Sequence, residues 1–269
     1  MEKEFETPAL PDKSKLTYSS YLRVDDLLKL QEPLSSPLAH DEMLFIIVHQ
    51  TYELWFKQIL FEADALVDLL EQDDVLSSLK FLGRINTILG VLTQQIDVLE
   101  TMSPVDFNRF RSLLNPASGF QSLQFRELEL ISGADPASYV RLLALSPEWK
   151  PVLEARLGKA TLRSAFIDLL ARRKILLETS TSPSVKGVEA ALLKIYEQSG
   201  HRDLHALCEE IIGYDEQFLH WRFRHVQMVE RMIGMKKGTG GSLGVEYLQK
   251  TLDRRFFPEL WSVRTLMGA

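Results

Sequence analysis

The chain has 269 residues, 45% of them hydrophobic and 25% charged, an ordinary composition for a folded protein long enough to enclose a cofactor in its core. Its 31 Lys and Arg against 37 Asp and Glu leave a formal charge of −6 without a long basic run, which excludes an electrostatic footprint for nucleic acid, and no uninterrupted apolar run approaches the roughly 18 residues of a membrane span. One cysteine, Cys208, excludes an internal disulfide and a paired-cysteine metal site, and the charged, proline-punctuated start carries no apolar leader, so a reduced, cytoplasmic protein is expected.

Residues 1–16 are expected to be a mobile arm, with residues 17–269 forming one domain. Apolar residues at 45, 48, 52, 55, 56, 59, 60 and 66 follow a three-and-four spacing that predicts a helix from Asp41 to Leu70. His40, Asp41 and Glu42 before it read as an N-cap followed by acids that suit the helix dipole. The same spacing, through Leu79, Leu82, Ile85, Leu89, Leu92, Ile96 and Leu99, predicts a second helix over Val75–Met102, closed off by Pro104. Residues 106–129 mix aromatics with Arg109, Arg111 and Arg126. An arginine among phenylalanines either snorkels at a surface or clamps a carboxylate through two parallel hydrogen bonds. NPASGF (115–120) reads as a turn with Ser118 and Gly119 at the mouth of a helix over Phe120–Ile131.

Between 132 and 190, Gly133, Pro136, Pro147, Pro151 and the TSTSPS run (179–184) break the pattern into short pieces, expected to be an excursion from the main bundle. A last long helical stretch runs from Ala190 to Ile233. GMKKGTGGSLG (234–244) then places five glycines in eleven residues. It lacks the GK[ST] order of a phosphate-binding loop, which leaves two readings: a flexible linker, or a loop that folds over a ligand and offers it backbone amides and the Thr239 hydroxyl. Period-two alternation with hairpin turns is missing throughout, so the fold expected is an all-α, single-domain helical bundle.

Two of the six histidines sit inside apolar stripes: His49 shares a helical face with Phe45, Tyr52 and Phe56, and His225 with Trp221, Met228 and Met232. A single such histidine is most simply a core residue bonded to a backbone carbonyl. Two of them, on helices rich in Phe, Trp and Met, suit the walls of a haem site, where a neutral imidazole serves as axial ligand. A non-haem metal is the competing reading, since His201 and His205 are four residues apart. HRDLH lacks the glutamate of HExxH, however, and no third ligand is evident.

The segments YSSYLRVDDLL (18–28), HDEMLFIIVHQTYELWFKQILFE (40–62), ETMSPVDFNRFRSLLNPASGFQSLQFRELE (100–129), WRFRHVQMVERMIGMKKGTGGSLGVEYL (221–248) and FFPELWSVRT (256–265) together resemble the tryptophan 2,3-dioxygenase family over nearly the whole chain, most weakly at 132–207. The resemblance implies a helical, homotetrameric enzyme with haem b, ferrous in its active form. Such an enzyme adds both atoms of O2 across the indole C2–C3 bond of L-tryptophan to give N-formylkynurenine. It further implies His225 as the axial iron ligand and His49 as the distal catalytic histidine beside the indole N–H. Arg111 would hold the substrate carboxylate and Thr239 the amino-acid end, with Phe45 and Phe107 as pocket walls and Ser118 and Gly119 lining the distal side. Tyr18 and Tyr21 match residues lent to a neighbouring subunit's site. Two other readings share these residues in whole or part: a haem monooxygenase acting on a substituted tryptophan, and a non-catalytic haem or indole sensor.

Overall fold

Three long helices carry the frame, and each lies where the apolar spacing predicts one. The computed structural model describes residues 16–135, 147–177, 184–239 and 244–268; the arm expected at 1–16 falls outside them except for Leu16. Two short helices, α1 (Tyr18–Leu22) and α2 (Val24–Leu27), lead through an irregular strap to α3 (His40–Glu71). Val48, Tyr52, Phe56, Ile59, Ala63, Leu66 and Leu70 recur every three or four residues along α3 and are all buried.

The start of α3 differs from expectation. Its N-cap is Ala39, with no side-chain hydrogen bond, and His40 is the first helical residue. Glu42 is only 1% exposed and accepts the Leu34 N–H at 2.7 Å and the Ser35 N–H at 2.9 Å. The strap folds back over the helix start and uses this carboxylate to satisfy its own backbone. Burial alone would raise the Glu42 pKa, but the hydrogen bonds from Ser35 and Leu34 hold it below its usual value.

The next helix, α4 (Val75–Leu99), begins at Asp74, whose side chain accepts the Ser77 N–H at 3.0 Å. It stops three residues short of the predicted end, because Ser103 and Pro104 already open α5 (Pro104–Phe110). By length and composition α4 could cross a membrane. Its Leu82, Ile85, Leu89, Leu92 and Ile96 are nonetheless all at 2% exposure or less, packed against α3 and the long C-terminal helix. Two single-turn 3-10 segments, Arg111–Leu114 and Gly119–Gln121, separate α5 from α6 (Leu123–Ser132). The helix expected from Phe120 begins at Leu123 because Ser122 caps it, accepting the Phe125 N–H at 3.2 Å.

The expected excursion at 132–190 is described only in part. Within and just beyond it lie α7 (Lys150–Leu157), α8 (Leu162–Arg172) and α9 (Val185–Glu197), whose Leu162, Phe166, Leu169 and Leu192 join the same core as α3 and α4. Arg156 of α7 is paired with Asp64 of α3 and, at 3.3 Å, with Glu127 of α6. The single helix predicted over 190–233 is two. A 3-10 turn at Ser199–His201 ends one helix and starts α10 (Arg202–Ile233). Gly200 and the extended Gln198 supply that break, a weaker sequence signal than a proline. Two short helices follow, α11 (Val245–Gln249) and α12 (Pro258–Ser262), and no strand occurs among the described residues.

One buried carboxylate ties this last segment to α10. Asp215, at 0% exposure, accepts the Phe256 N–H at 3.0 Å, the Phe257 N–H at 3.2 Å and the Trp261 indole N–H at 3.0 Å. Asp215→Ala leaves three donors without an acceptor and is expected to lower unfolding stability by about 3 kcal/mol or more, read from the urea midpoint. A loss within about 0.5 kcal/mol would show that the segment is held by its apolar contacts alone.

Candidate active site

The long helices do not meet everywhere. Between α3, α10, α5 and α6 they leave a cavity of about 280 Å³, on the scale of a small-molecule site and far larger than the ~30 Å³ of a single water. Phe45, His49, Glu53 and Phe56 line it from successive turns of α3, and Trp221, His225, Met228 and Met232 from successive turns of α10. Phe107, Arg111, Ser118, Gly119 and Thr239 close one end. Eight of the ten expected site residues therefore share one cavity, although they lie up to 194 positions apart in sequence (239 − 45).

The other two, Tyr18 and Tyr21, are 78% and 71% exposed on α1 and do not line this cavity. Of the other arginines weighed in the sequence, Arg109 is exposed beside Asp106, whereas Arg126 lies buried in the cavity wall.

His49 has a defined tautomer. Its Nδ1 lies 2.7 Å from the Phe45 carbonyl, which can only accept, so the ring proton is on Nδ1 and Nε2 is left as an acceptor. Burial pushes its pKa below the ordinary value, against opposing contributions from the Phe45 hydrogen bond and Glu53, and the ring is neutral at pH 7. His225 is pushed down to about 4, first by burial and then by His49 and Arg126, with no hydrogen bond to it from the described residues. Its plane is fixed by the Trp221 indole, stacked at 5.1 Å and 8°.

A depressed histidine pKa destabilises the fold in acid. The unfolded chain takes up protons near pH 6.5 and the folded one only near 4, so stability conferred by the neutral ring is intact above pH 6.5 and lost as pH falls toward 4. For His225 alone that loss is about 3 kcal/mol. Urea unfolding of the ligand-free protein should show it between these pH values, and His225→Leu should flatten the slope. An unchanged slope would place the acid sensitivity elsewhere.

At the open end, Arg111 Nη2 donates to the Lys237 carbonyl at 2.7 Å, and Thr239 Oγ1 donates to the Ala117 carbonyl at 2.5 Å. The glycine-rich segment is thus fastened across the cavity mouth at two points, which favours the ligand-covering reading over a free linker; its residues 240–243 lie outside the described ones. Its far base is tight as well: Gly244 has φ +61°, and a Cβ there would stand 2.6 Å from the Lys236 carbonyl oxygen. Ser118 caps the Gly119 turn, its Oγ accepting the Phe120 N–H at 3.3 Å while its N–H donates to Gln121 at 3.0 Å.

An indole stacked between Phe45 and Phe107 is excluded in this geometry. The two ring centres are 5.7 Å apart at 26°, whereas an inserted ring needs two stacking distances, roughly 7 Å. They form one wall together, backed by Phe110, whose edge meets both rings.

Arg126, already weighed in the sequence, is joined in the cavity by two residues the sequence did not mark, Glu129 and Arg222. Arg126, Glu129 and Arg222 are 8%, 2% and 4% exposed, and Glu129 accepts from Arg126 Nη1 at 2.7 Å and from Arg222 Nη2 at 3.2 Å. Arg126 Nε is a buried donor without an acceptor among the described residues, and the Trp221 indole N–H faces the Tyr52 hydroxyl. A neutral imidazole that no described residue hydrogen-bonds, a lining of aromatic and methionine side chains, and an unspent guanidinium donor on the same wall together fit a haem, an apolar macrocycle carrying acidic arms. Among the described residues no three His, Cys, Asp or Glu side chains cluster as a metal site.

Comparison with known proteins agrees with this chemistry. The sequence model of the family "Tryptophan 2,3-dioxygenase" matches residues 4–165 and 159–267. Proteins named tryptophan 2,3-dioxygenase are similar along almost their full length. That of Herpetosiphon aurantiacus is 45% identical over 260 residues, covering 93% of this chain and 97% of its own, and that of a Nocardioides species 46% over 257 residues, covering 94% and 95%. A Xanthomonas euvesicatoria relative is 41% identical over 264 residues, covering 94% and 88%. Matches of this extent and identity leave one conclusion: the chain belongs to the tryptophan 2,3-dioxygenase family.

Proposed function

We infer that this protein is a haem-dependent dioxygenase that adds both atoms of O2 across the indole C2–C3 bond of L-tryptophan and releases N-formylkynurenine. The observation that carries the reading is the single cavity that unites two neutral imidazoles with an arginine and a threonine at its mouth. Bound haem, of the b type and ferrous in the active enzyme, supplies the iron at which O2 is activated.

The side chains have separable tasks. His225 would hold the iron, its ring kept neutral by burial and its plane oriented by the stacked Trp221. His49, with its proton committed to Phe45, offers Nε2 as acceptor to the indole N–H and so orients the ring. His49→Ala should weaken turnover without abolishing it, because orientation is lost but no obligatory proton carrier is. A complete loss in steady-state assays would instead make His49 the base.

Arg111 receives the substrate carboxylate on donors not used by Lys237. Thr239 spends its proton on Ala117, which leaves its oxygen free to accept from the substrate ammonium. The Phe45–Phe107 wall, with Ser118 and Gly119 beside the anchored Thr239, shapes the remaining space, and the tied residues Lys237 and Thr239 help to keep water out.

The enzyme works as a cytoplasmic homotetramer, with residues from 17 onward forming one haem-binding domain and Tyr18 and Tyr21 reaching a neighbouring subunit's site. Their exposure supports this, as does the run of exposed Leu28, Leu30, Leu34 and Leu38 on the adjoining strap. Sedimentation should give four chains per particle; a monomer that turns over tryptophan would overturn the assembly and the shared site.

Product mass tests the reaction. With reduced, haem-loaded protein, L-tryptophan should gain two oxygens. A gain of one would mean a monooxygenase, and no oxygen-dependent product with any indole would mean a sensor.

A further inference from the structure

Arg126 is a buried cavity arginine whose hydrogen bonding is incomplete among the described residues. The only hydrogen bond of its guanidinium among the described residues runs from Nη1 to Glu129, at 2.7 Å. Nε is buried and meets no acceptor. Nε and Nη2 share one edge of the guanidinium, the edge that takes a carboxylate side-on through two parallel hydrogen bonds. The group cannot easily turn away from this duty. Its carbon lies 4.9 Å from the Phe125 ring centre and 5.2 Å from that of Phe120, which holds the plane in place.

The neighbouring acids are committed elsewhere. Glu129 divides its two oxygens between Arg126 and Arg222, and Arg222 also donates to the Arg254 carbonyl at 2.7 Å. Glu53, half-buried on the α3 side of the cavity, is held by Gln124 at 2.8 Å. The Trp221 ring packs 5.0 Å from that of Phe125 on the same lining. A buried guanidinium with an open two-donor edge is costly unless an acid completes it.

Substrate and cofactor both carry carboxylates. Arg111, at the cavity mouth, is placed for the amino acid, whereas Arg126 lies on α6 over Phe125, whose ring meets Trp221, and within electrostatic reach of His225. We propose that the Nε/Nη2 edge of Arg126 binds a propionate carboxylate of the haem and thereby sets how tightly the cofactor is held and in which orientation. The proposal rests on reading this cavity as the haem site, and uptake of haem by the unmodified protein is the control that separates the two claims.

The test uses haem and its dimethyl ester, which lacks both negative charges, with the unmodified protein, Arg126→Gln and Arg126→Lys. The readout is the rate of haem loss to excess apomyoglobin, followed in the Soret band. Arg126→Gln should lose haem on the order of tenfold faster or more, with Arg126→Lys between the two. The ester should leave the unmodified protein faster than haem does, and the ester and the Gln substitution together should give less than the product of their separate effects. Equal haem loss from Arg126→Gln and the unmodified protein would overturn the proposal, as would fully multiplicative effects. A rise in tryptophan KM with unaltered haem loss would assign the edge to substrate and overturn it as well. Should Arg126→Gln fail to fold, Arg126→Lys with the two cofactors completes the same cycle. Failure of the unmodified protein to take up haem would refute the cofactor reading itself.

Discussion

His225→Ala should yield a folded helical protein that retains no haem through purification and shows no Soret band. The substitution removes the imidazole on the α10 wall that no described residue hydrogen-bonds. Trp221 remains to pack against the vacated space, but an indole cannot ligate iron. The fold itself need not suffer. A neutral ring forced below its ordinary pKa by burial is a liability in acid, so the variant should be the more acid-resistant of the two ligand-free proteins. Far-UV circular dichroism and pyridine haemochrome absorbance on one sample separate these effects. A variant that keeps a normal Soret band would remove His225 from the iron. If His49 then proved to be the ligand, the two walls of the cavity would exchange roles.

Arg111→Ala should raise the tryptophan KM by roughly ten- to a hundredfold, from the loss of a charge-assisted, two-point contact worth about 1.5–3 kcal/mol. The structure adds a second consequence. Arg111 also fastens the Lys237 carbonyl, so its removal frees one of the two ties that hold the glycine-rich segment over the mouth. Arg111→Lys discriminates between the two duties: an ammonium can still reach a single carbonyl but cannot form the paired fork. Partial recovery of loop protection without recovery of KM is the expected pattern, with loop protection read from tryptic cleavage at the exposed Lys236 and Lys237. An unaltered KM in Arg111→Ala would show that the carboxylate is held elsewhere.

Much of this site is legible in the sequence because it rests on helices. His49 and His225 stand out as polar rings inside apolar stripes, and such stripes are local, set by a spacing of three and four residues. What escapes is what depends on contacts between distant segments. Arg126 stands out among aromatics but its two readings, snorkelling or clamping a carboxylate, stay open, and nothing in the sequence marks Glu129, three residues on, as its partner. Only the packing of α6 against the cavity, with Arg222 arriving from α10, makes them a buried cluster. Glu42 looks like a first-turn acid but is claimed by the strap before α3. The spacing of Phe45 and Phe107 could not be foreseen across sixty-two positions, nor could the contact from Thr239 to Ala117 that turns a glycine-rich run into a fastened cover. The break at Ser199–His201 was hidden because Gly200 alone does not stop a helical pattern.

The central claim is that this one cavity delivers both atoms of a single O2 molecule to tryptophan. A turnover under an equal mixture of 18O2 and 16O2 tests it most directly. The account predicts product in which the two inserted oxygens are both heavy or both light, apart from slow exchange of the formyl oxygen with water. Product carrying only one oxygen from O2 and the other from water would contradict it.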